Sequence, residues 1–166
     1  MGKGMICSRQ DDFKAFYEKV IEADGVLFVD PIFESGATGL YHSITDRMGP
    51  GHDTGMMKML DGKLKEAGKE GLNPRYFRQK ALSFVGIGGS DWAVRCETDH
   101  AMFALSPGWK VVNNEFFSWC KDVIMQDDKV ERMKEIGRNL VDAVQQIIDE
   151  DMQIEGSEHT SLWKGK

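Results

Sequence analysis

Several things are missing from this sequence. No apolar run approaches the ~20 residues of a membrane-spanning helix, and no secretory signal pattern opens the chain. Both absences make the cytoplasm the expected location. Cysteine is scarce: Cys7, Cys96 and Cys120 are the only three in 166 residues, an odd number at wide spacing. They make no disulfide framework, and without a C-x-x-C pair there is no sign of zinc or a redox dithiol, so unpaired thiols are expected. Positive charge is in deficit, with 21 Lys and Arg against 27 Asp and Glu and a formal net charge of −6. A nucleic-acid partner, which needs a clustered basic face, is therefore not expected. Internal repeats and low-complexity tracts are absent too. What remains is 41% hydrophobic and 29% charged, an ordinary globular composition, long enough for one domain with a real core.

The stretch Asp24 to Gly39 organises the rest. Val26 to Val29 is a continuous apolar run, which suits a strand buried on both faces of a parallel sheet. Pro31 removes a backbone donor and biases Asp30 toward extended geometry, so the ladder is predicted to stop at Asp30. Ser35 and Thr38 can each cap a following helix. Strand, loop and helix follow in order, and in open parallel sheets ligands bind beyond the carboxyl ends of the strands.

Around this stretch, Asp11 or Asp12 can cap a helix over Phe13–Ala23, whose apolar face carries Phe13, Phe16, Val20 and Ile21. A helix over Gly39–Met48 is predicted to turn Leu40 and Ile44 inward. Residues 49–80 form a long polar insertion with Met56, Met57, Met59 and Leu60; it is either a lid or interface arm, or a short helix, Thr54–Ala67, packed on the core. Ala81–Ile87 is the second strand, followed by Gly88, Gly89 and Ser90, where glycine lets backbone approach a ligand. A helix over Thr98–Leu105 ends at Pro107-Gly108, and Trp109–Asn113 is the third strand. Phe116, Phe117 and Trp119 form an apolar cluster with the character of core or interface. From Asp127 and Asp128, which favour a helix start, the positions Val130, Met133, Ile136, Leu140, Val144, Ile147 and Ile148 keep the helical period for about five turns. The predicted class is an α/β three-layer sandwich in which strands 26–30, 81–87 and 109–113 run parallel. Residues 1–150 make the domain, and 151–166 a polar tail that docks on a neighbour or stays mobile. His42, Asp46, His52 and Asp53 could be imagined round a metal, but capping and solvation are the ordinary roles of such residues and no metal is expected. His100 is a candidate proton donor, with polar helix surface the plainer reading.

The run Tyr17-Glu18-Lys19-Val20-Ile21-Glu22-Ala23-Asp24-Gly25, then Asp30-Pro31-Ile32-Phe33, then Ile44-Thr45-Asp46-Arg47 resembles the centre of the flavodoxin-like NAD(P)H-dependent FMN reductases, which include the WrbA-type quinone reductases and the iron-sulfur flavoproteins. Met133–Val144, with Gly137-Arg138, resembles their closing helix. The resemblance implies a flavodoxin-like sandwich, FMN as cofactor and NAD(P)H as electron donor, with a quinone, a flavin or another small molecule as acceptor. It implies cofactor contacts from Pro31, Ile32, Phe33, Ser35, Gly36, Ala37 and Thr38, and from Gly88, Gly89 and Ser90. Catalytic residues are not identified. Two positions depart from the pattern: Asp30 stands for a small Ser, and Phe33 with Glu34 alters the ring-facing segment. A carboxylate at that edge would disfavour the electron-rich reduced flavin. Cys7-Ser8-Arg9-Gln10-Asp11-Asp12 resembles the segment before the corresponding helix of the iron-sulfur branch, so the match starts in the family's middle, without the first βαβ unit. A homo-oligomer, or a partner chain supplying that unit, is the expected assembly. The alternative is a non-catalytic flavodoxin-like binding or structural subunit.

Overall fold

The computed structural model describes residues 11–34, 36–89, 94–105, 107–118 and 126–150. Three strands, β1 (Gly25–Pro31), β2 (Ala81–Ile87) and β3 (Lys110–Phe117), pair in parallel in the order β1-β2-β3. The helices are α1 (Phe13–Glu22), α2 (Gly39–His52), α3 (Thr54–Glu66), α4 (Val94–Leu105) and α5 (Asp127–Asp149), with a 3-10 turn at Pro74–Phe77. The three-layer parallel α/β architecture predicted from the sequence is the one observed. No helix among the described residues is long and apolar enough to cross a membrane.

The layers follow from strand parity. On one face Val26, Phe28, Leu82 and Phe84 meet α1, α2 and α4 through Phe13, Tyr17, Val20, Ile21, Tyr41, Met48 and Ala104. On the other, Ala81 packs with Ala143 and Ile147, and Val85 packs with Phe117 and Ile136, so α5 covers β2 and β3. Each fully buried Val, Leu, Ile, Phe or Met side chain among them stabilises the fold by roughly 1.5–3 kcal/mol.

Several boundaries and faces differ from the sequence reading. β1 runs through Pro31, because β1 pairs only with β2 among the described residues and a missing N–H on its other side costs no ladder bond there; Ile32 N still donates to Ile87 O at 2.8 Å. β3 continues past Asn113 to Phe117, through polar Asn113, Asn114 and Glu115 whose alternation hides a strand, and its register slips once near Leu82 and Ser83. Leu40 is 70% exposed, and Tyr41 and Met48 fill the place predicted for it. Tyr17 rather than Phe16 is buried, and Ile148 lies at the open margin of α5. Of the insertion, α3 buries Met57 while Met56 and Met59 stay exposed. Its first turn is fixed by Asp53, which accepts from Met56 N at 2.9 Å, and by Thr54 Oγ1, which donates to Pro107 O at 3.1 Å. Phe117 is buried and Phe116 packs over β2, so neither supports the interface role considered for that cluster; Trp119 lies outside the described residues, as do Cys7, Cys120 and the tail from 151.

Candidate functional site

At the carboxyl end of β1 the chain leaves the sheet as the loop 32–38. Gly36 N donates to Phe33 O at 3.1 Å, closing a tight turn, and Glu34 at its tip has φ 49°, a left-handed conformation rare for a residue with a Cβ. Phe33 is 68% exposed at this tip. Thr38 ends the loop and starts α2: its Oγ1 accepts from Tyr41 N at 3.1 Å, the cap predicted from the sequence.

Asp30 closes the loop. Its Oδ2 accepts from Thr38 N at 2.9 Å and its Oδ1 from Thr38 Oγ1 at 2.7 Å. The sequence reading put this carboxylate at an open cofactor edge; the structure buries it and spends it on the loop's two ends. α4 adds a second brace, with Asp99 Oδ2 accepting from Ala37 N at 3.4 Å and standing 3.5 Å from His42 Nε2.

The second loop lies beside the first. Gly88 N donates to Phe117 O at 3.1 Å, continuing the ladder one residue past β2. A Cβ on Gly86 would fall 2.8 Å from Ile32 Cδ1, and one on Gly88 would fall 3.3 Å from both Ile32 Cβ and Phe116 Cε2. Ile32 and Phe116 therefore close over β2 only because these two positions have no side chain. Gly89, by contrast, faces open space. Arg95 brings its side chain against Gly36, its Nε 3.4 Å from where a Cβ would stand.

The structure thus brings Pro31, Ile32, Phe33, Gly36, Ala37 and Thr38 together with Gly88 and Gly89 at one end of the sheet; Ser35 and Ser90 lie outside the described residues. Backbone turns, an exposed aromatic ring and an open glycine make a surface that suits a planar ring system. The 520 Å³ groove between α1 and α2, lined by Phe13, Phe16, Lys19, Leu40 and Arg47, includes none of these residues.

Behind the loop stands a group the sequence reading missed. His100, expected on polar surface, is 1% exposed; it stacks on Phe84 at 4.7 Å and meets Tyr41 edge-on at 5.0 Å. Burial pushes its imidazole pKa down, against the pull of Asp30, and keeps the ring neutral. Cys96, one turn earlier, is also buried, and burial together with Asp30 and Asp99 pushes its thiol up to about 12. The sequence reading began this helix at Thr98 and so left Cys96 off it; α4 starts at Val94, which sets Cys96 and His100 at i, i+4 on one face, and tertiary packing brings Asp30 to them.

The family model described as NADPH-dependent FMN reductase matches residues 2–122. A solved structure of a flavone reductase is 42% identical with a TM-score of 0.80, covering 91% of this chain and 52% of its own. An NADH:FMN oxidoreductase in its apo form is 18% identical with a TM-score of 0.55, over 80% of this chain and 60% of its own. The Trp repressor binding protein from Bacillus subtilis is 13% identical with a TM-score of 0.50, over 79% and 70%. The last two share the fold. The chain spans about half the length of the flavone reductase. No curated protein matches it.

Proposed function

The chain belongs to the NADPH-dependent FMN reductase family, and from that premise we propose that it is a flavin-dependent oxidoreductase, or a subunit of one, drawing electrons from NAD(P)H. The acceptor is a quinone, a second flavin or another small planar molecule, with the flavone of the 42% identical reductase as a chemical guide. The observation that carries this reading is the seating of Ile32 over Gly86 and Gly88, which sets the loop 31–38 and the turn 88–89 side by side beyond the strand ends.

FMN, when bound, supplies the hydride chemistry, accepting from the nicotinamide and passing electrons on. The chain's own residues bind and orient. Pro31, Ile32, Phe33, Gly36, Ala37 and Thr38 form one wall against the ring, Gly88 and Gly89 the other, and Ser35 and Ser90, outside the described residues, belong by sequence to the same two segments. Arg95 adds a cation beside Gly36. Asp30 holds the loop's shape through Thr38, so the electrostatic argument for a non-catalytic subunit, a carboxylate facing the reduced ring, loses its basis.

Phosphate capture needs backbone N–H groups at a helix start or glycine-rich turn, and the two loops here are assigned to the ring. The phosphate is assigned to residues outside them, in the same polypeptide or in a partner. Each charged hydrogen bond to the phosphate is worth on the order of 1.5–3 kcal/mol, so where a partner supplies them this chain alone binds FMN weakly, several factors of ten below the complete site. Fluorescence quenching on titration with FMN tests this. Quenching at high micromolar FMN that Gly89→Val reduces is the expected result; no saturable quenching at all would sink the reading.

A further inference from the structure

Three buried donors converge where α4 passes the end of β1. Cys96 Sγ is 3.5 Å from His100 Nε2, and Asp30 Oδ2 is 4.0 Å from that same nitrogen. One donor atom from each of the three side chains lies within 4.8 Å of the others. In a catalytic relay the nucleophile and the acid meet opposite nitrogens of the imidazole. Here the Cys96 sulfur lies 3.5 Å from Nε2 and 3.8 Å from Nδ1, so it stands between the two nitrogens, with the carboxylate on the Nε2 side, rather than opposite the acid across the ring. Three buried donors of these types within one small space is how ligands stand round an ion.

We propose that Asp30, Cys96 and His100 form a zinc site that fastens the loop 32–38 to α4. Thiolate, imidazole and carboxylate are the donors zinc takes, at bond lengths of about 2.0–2.3 Å, which separate neighbouring donors of a tetrahedron by roughly 3.3–3.6 Å. The Cys96 Sγ–His100 Nε2 separation of 3.5 Å has that value; on binding, the ring must turn to aim its Nε2 lone pair between the other two donors, since sulfur is also 3.8 Å from Nδ1, and the Asp30 oxygen must close in from 4.0 Å. The charges also balance: a dication against one carboxylate, one thiolate and a neutral ring leaves a neutral site, as a buried ion requires. The supporting shell is in place at the carboxylate, with Thr38 N and Oγ1 holding Asp30. Three protein donors leave the fourth position to a water. On binding, the Cys96 S–H bond breaks and a metal–sulfur bond forms; the proton goes to solvent, and Asp30 and His100 contribute lone pairs. Nothing is oxidised or reduced. Zinc at this site requires no bound flavin.

The test uses the full chain carrying Cys7→Ser and Cys120→Ser, so that Cys96 is the one thiol, stripped with chelator and titrated with Co²⁺ and then Zn²⁺. The expected result is a thiolate-to-cobalt charge-transfer band saturating at one equivalent, displaced by Zn²⁺, with about one proton released per ion and a raised Tm. Adding Cys96→Ser should abolish the band, and adding His100→Gln should weaken Co²⁺ binding by roughly tenfold or more. Absence of the band, or a band that survives Cys96→Ser, overturns the proposal in favour of a thiol simply hydrogen-bonded to a core histidine. Should Cys96→Ser fail to fold by circular dichroism, the His100→Gln titration decides, and unchanged affinity there overturns it equally.

Discussion

Asp30 and Thr38 hold each other at both ends of one loop, so their energies are not separable. Thr38→Ala removes the cap on Tyr41 N and one of the two donors to a buried carboxylate. A cap is worth ~0.5–2 kcal/mol, and a buried acceptor losing a donor costs ~1–3 kcal/mol. A total loss of about 2–4 kcal/mol is expected in urea unfolding, while Thr38→Ser, which keeps the hydroxyl, should stay within about 1 kcal/mol of wild type. A Thr38→Ala variant as stable as wild type would mean that water replaces both bonds. Lys80 gives a second test at this scale. It is buried, and its Nζ donates to Ile21 O and Ala23 O, both at 2.6 Å, at the carboxyl end of α1. Burial pushes its pKa down to about 8 from 10.5, more than the neighbouring Asp24 raises it. Between those values the unfolded chain holds a proton that the folded chain has released, so the group's contribution to stability rises with pH across that window and is flat below it. Unfolding free energies at pH 7.5 to 9.5 should show this upward slope, and Lys80→Met should remove it.

Among the elements, the contact of β1's loop with β2 is the one on which the site depends. Gly86→Ala would set a Cβ 2.8 Å from Ile32 Cδ1 and 3.4 Å from Phe116 Cδ2. Ile32 must then leave its seat, at a cost of ~1–3 kcal/mol as for other overpacked sites, and FMN quenching should weaken with it. Ala substitution at Ile136, fully buried on α5, should cost ~2–5 kcal/mol; at Val141, 66% exposed on the same helix, about 0.5 kcal/mol or less. Equal costs at the two positions would mean that α5 is seated differently. The elements themselves were legible because strands of unbroken apolar residues and helices of strict period leave little choice. Their phases were less so. In α2, Leu40 and Ile44 share a helical face as well as Tyr41, Ile44 and Met48 do; only the Thr38 cap and the aromatic neighbours Phe28, Phe103 and His100 pick the second. The site was legible as two glycine-bearing loops after strands. Asp30's inward role was not, because nothing local says that a carboxylate will find its donors eight residues ahead and its neighbours on α4.

For the molecule as a whole, β1 is the consequential strand, since it pairs only with β2 among the described residues. An edge strand presents unpaired N–H and C=O groups that template association unless something blunts or covers them. α5 meets β1 at Gly25, where a Cβ would fall 2.7 Å from Val144 Cγ2. Beyond that contact Leu27 and Val29, on the same face, are 42% and 50% exposed. Two apolar residues beside an open edge carry no charge, bulge or interior proline to discourage pairing; Pro31 comes only at the strand's end. The chain also matches only 52% of the flavone reductase's length. The expected outcome is that this chain, purified alone, associates through β1, with sedimentation at micromolar concentration giving a mass above the monomer. Val29→Lys places a charge on that exposed face without touching the core behind Phe28, and should return the protein to monomer with an unchanged circular dichroism spectrum. A wild-type chain that sediments as a single monomeric species would show that the edge is covered by residues of its own, and an associated Val29→Lys variant would move the interface elsewhere.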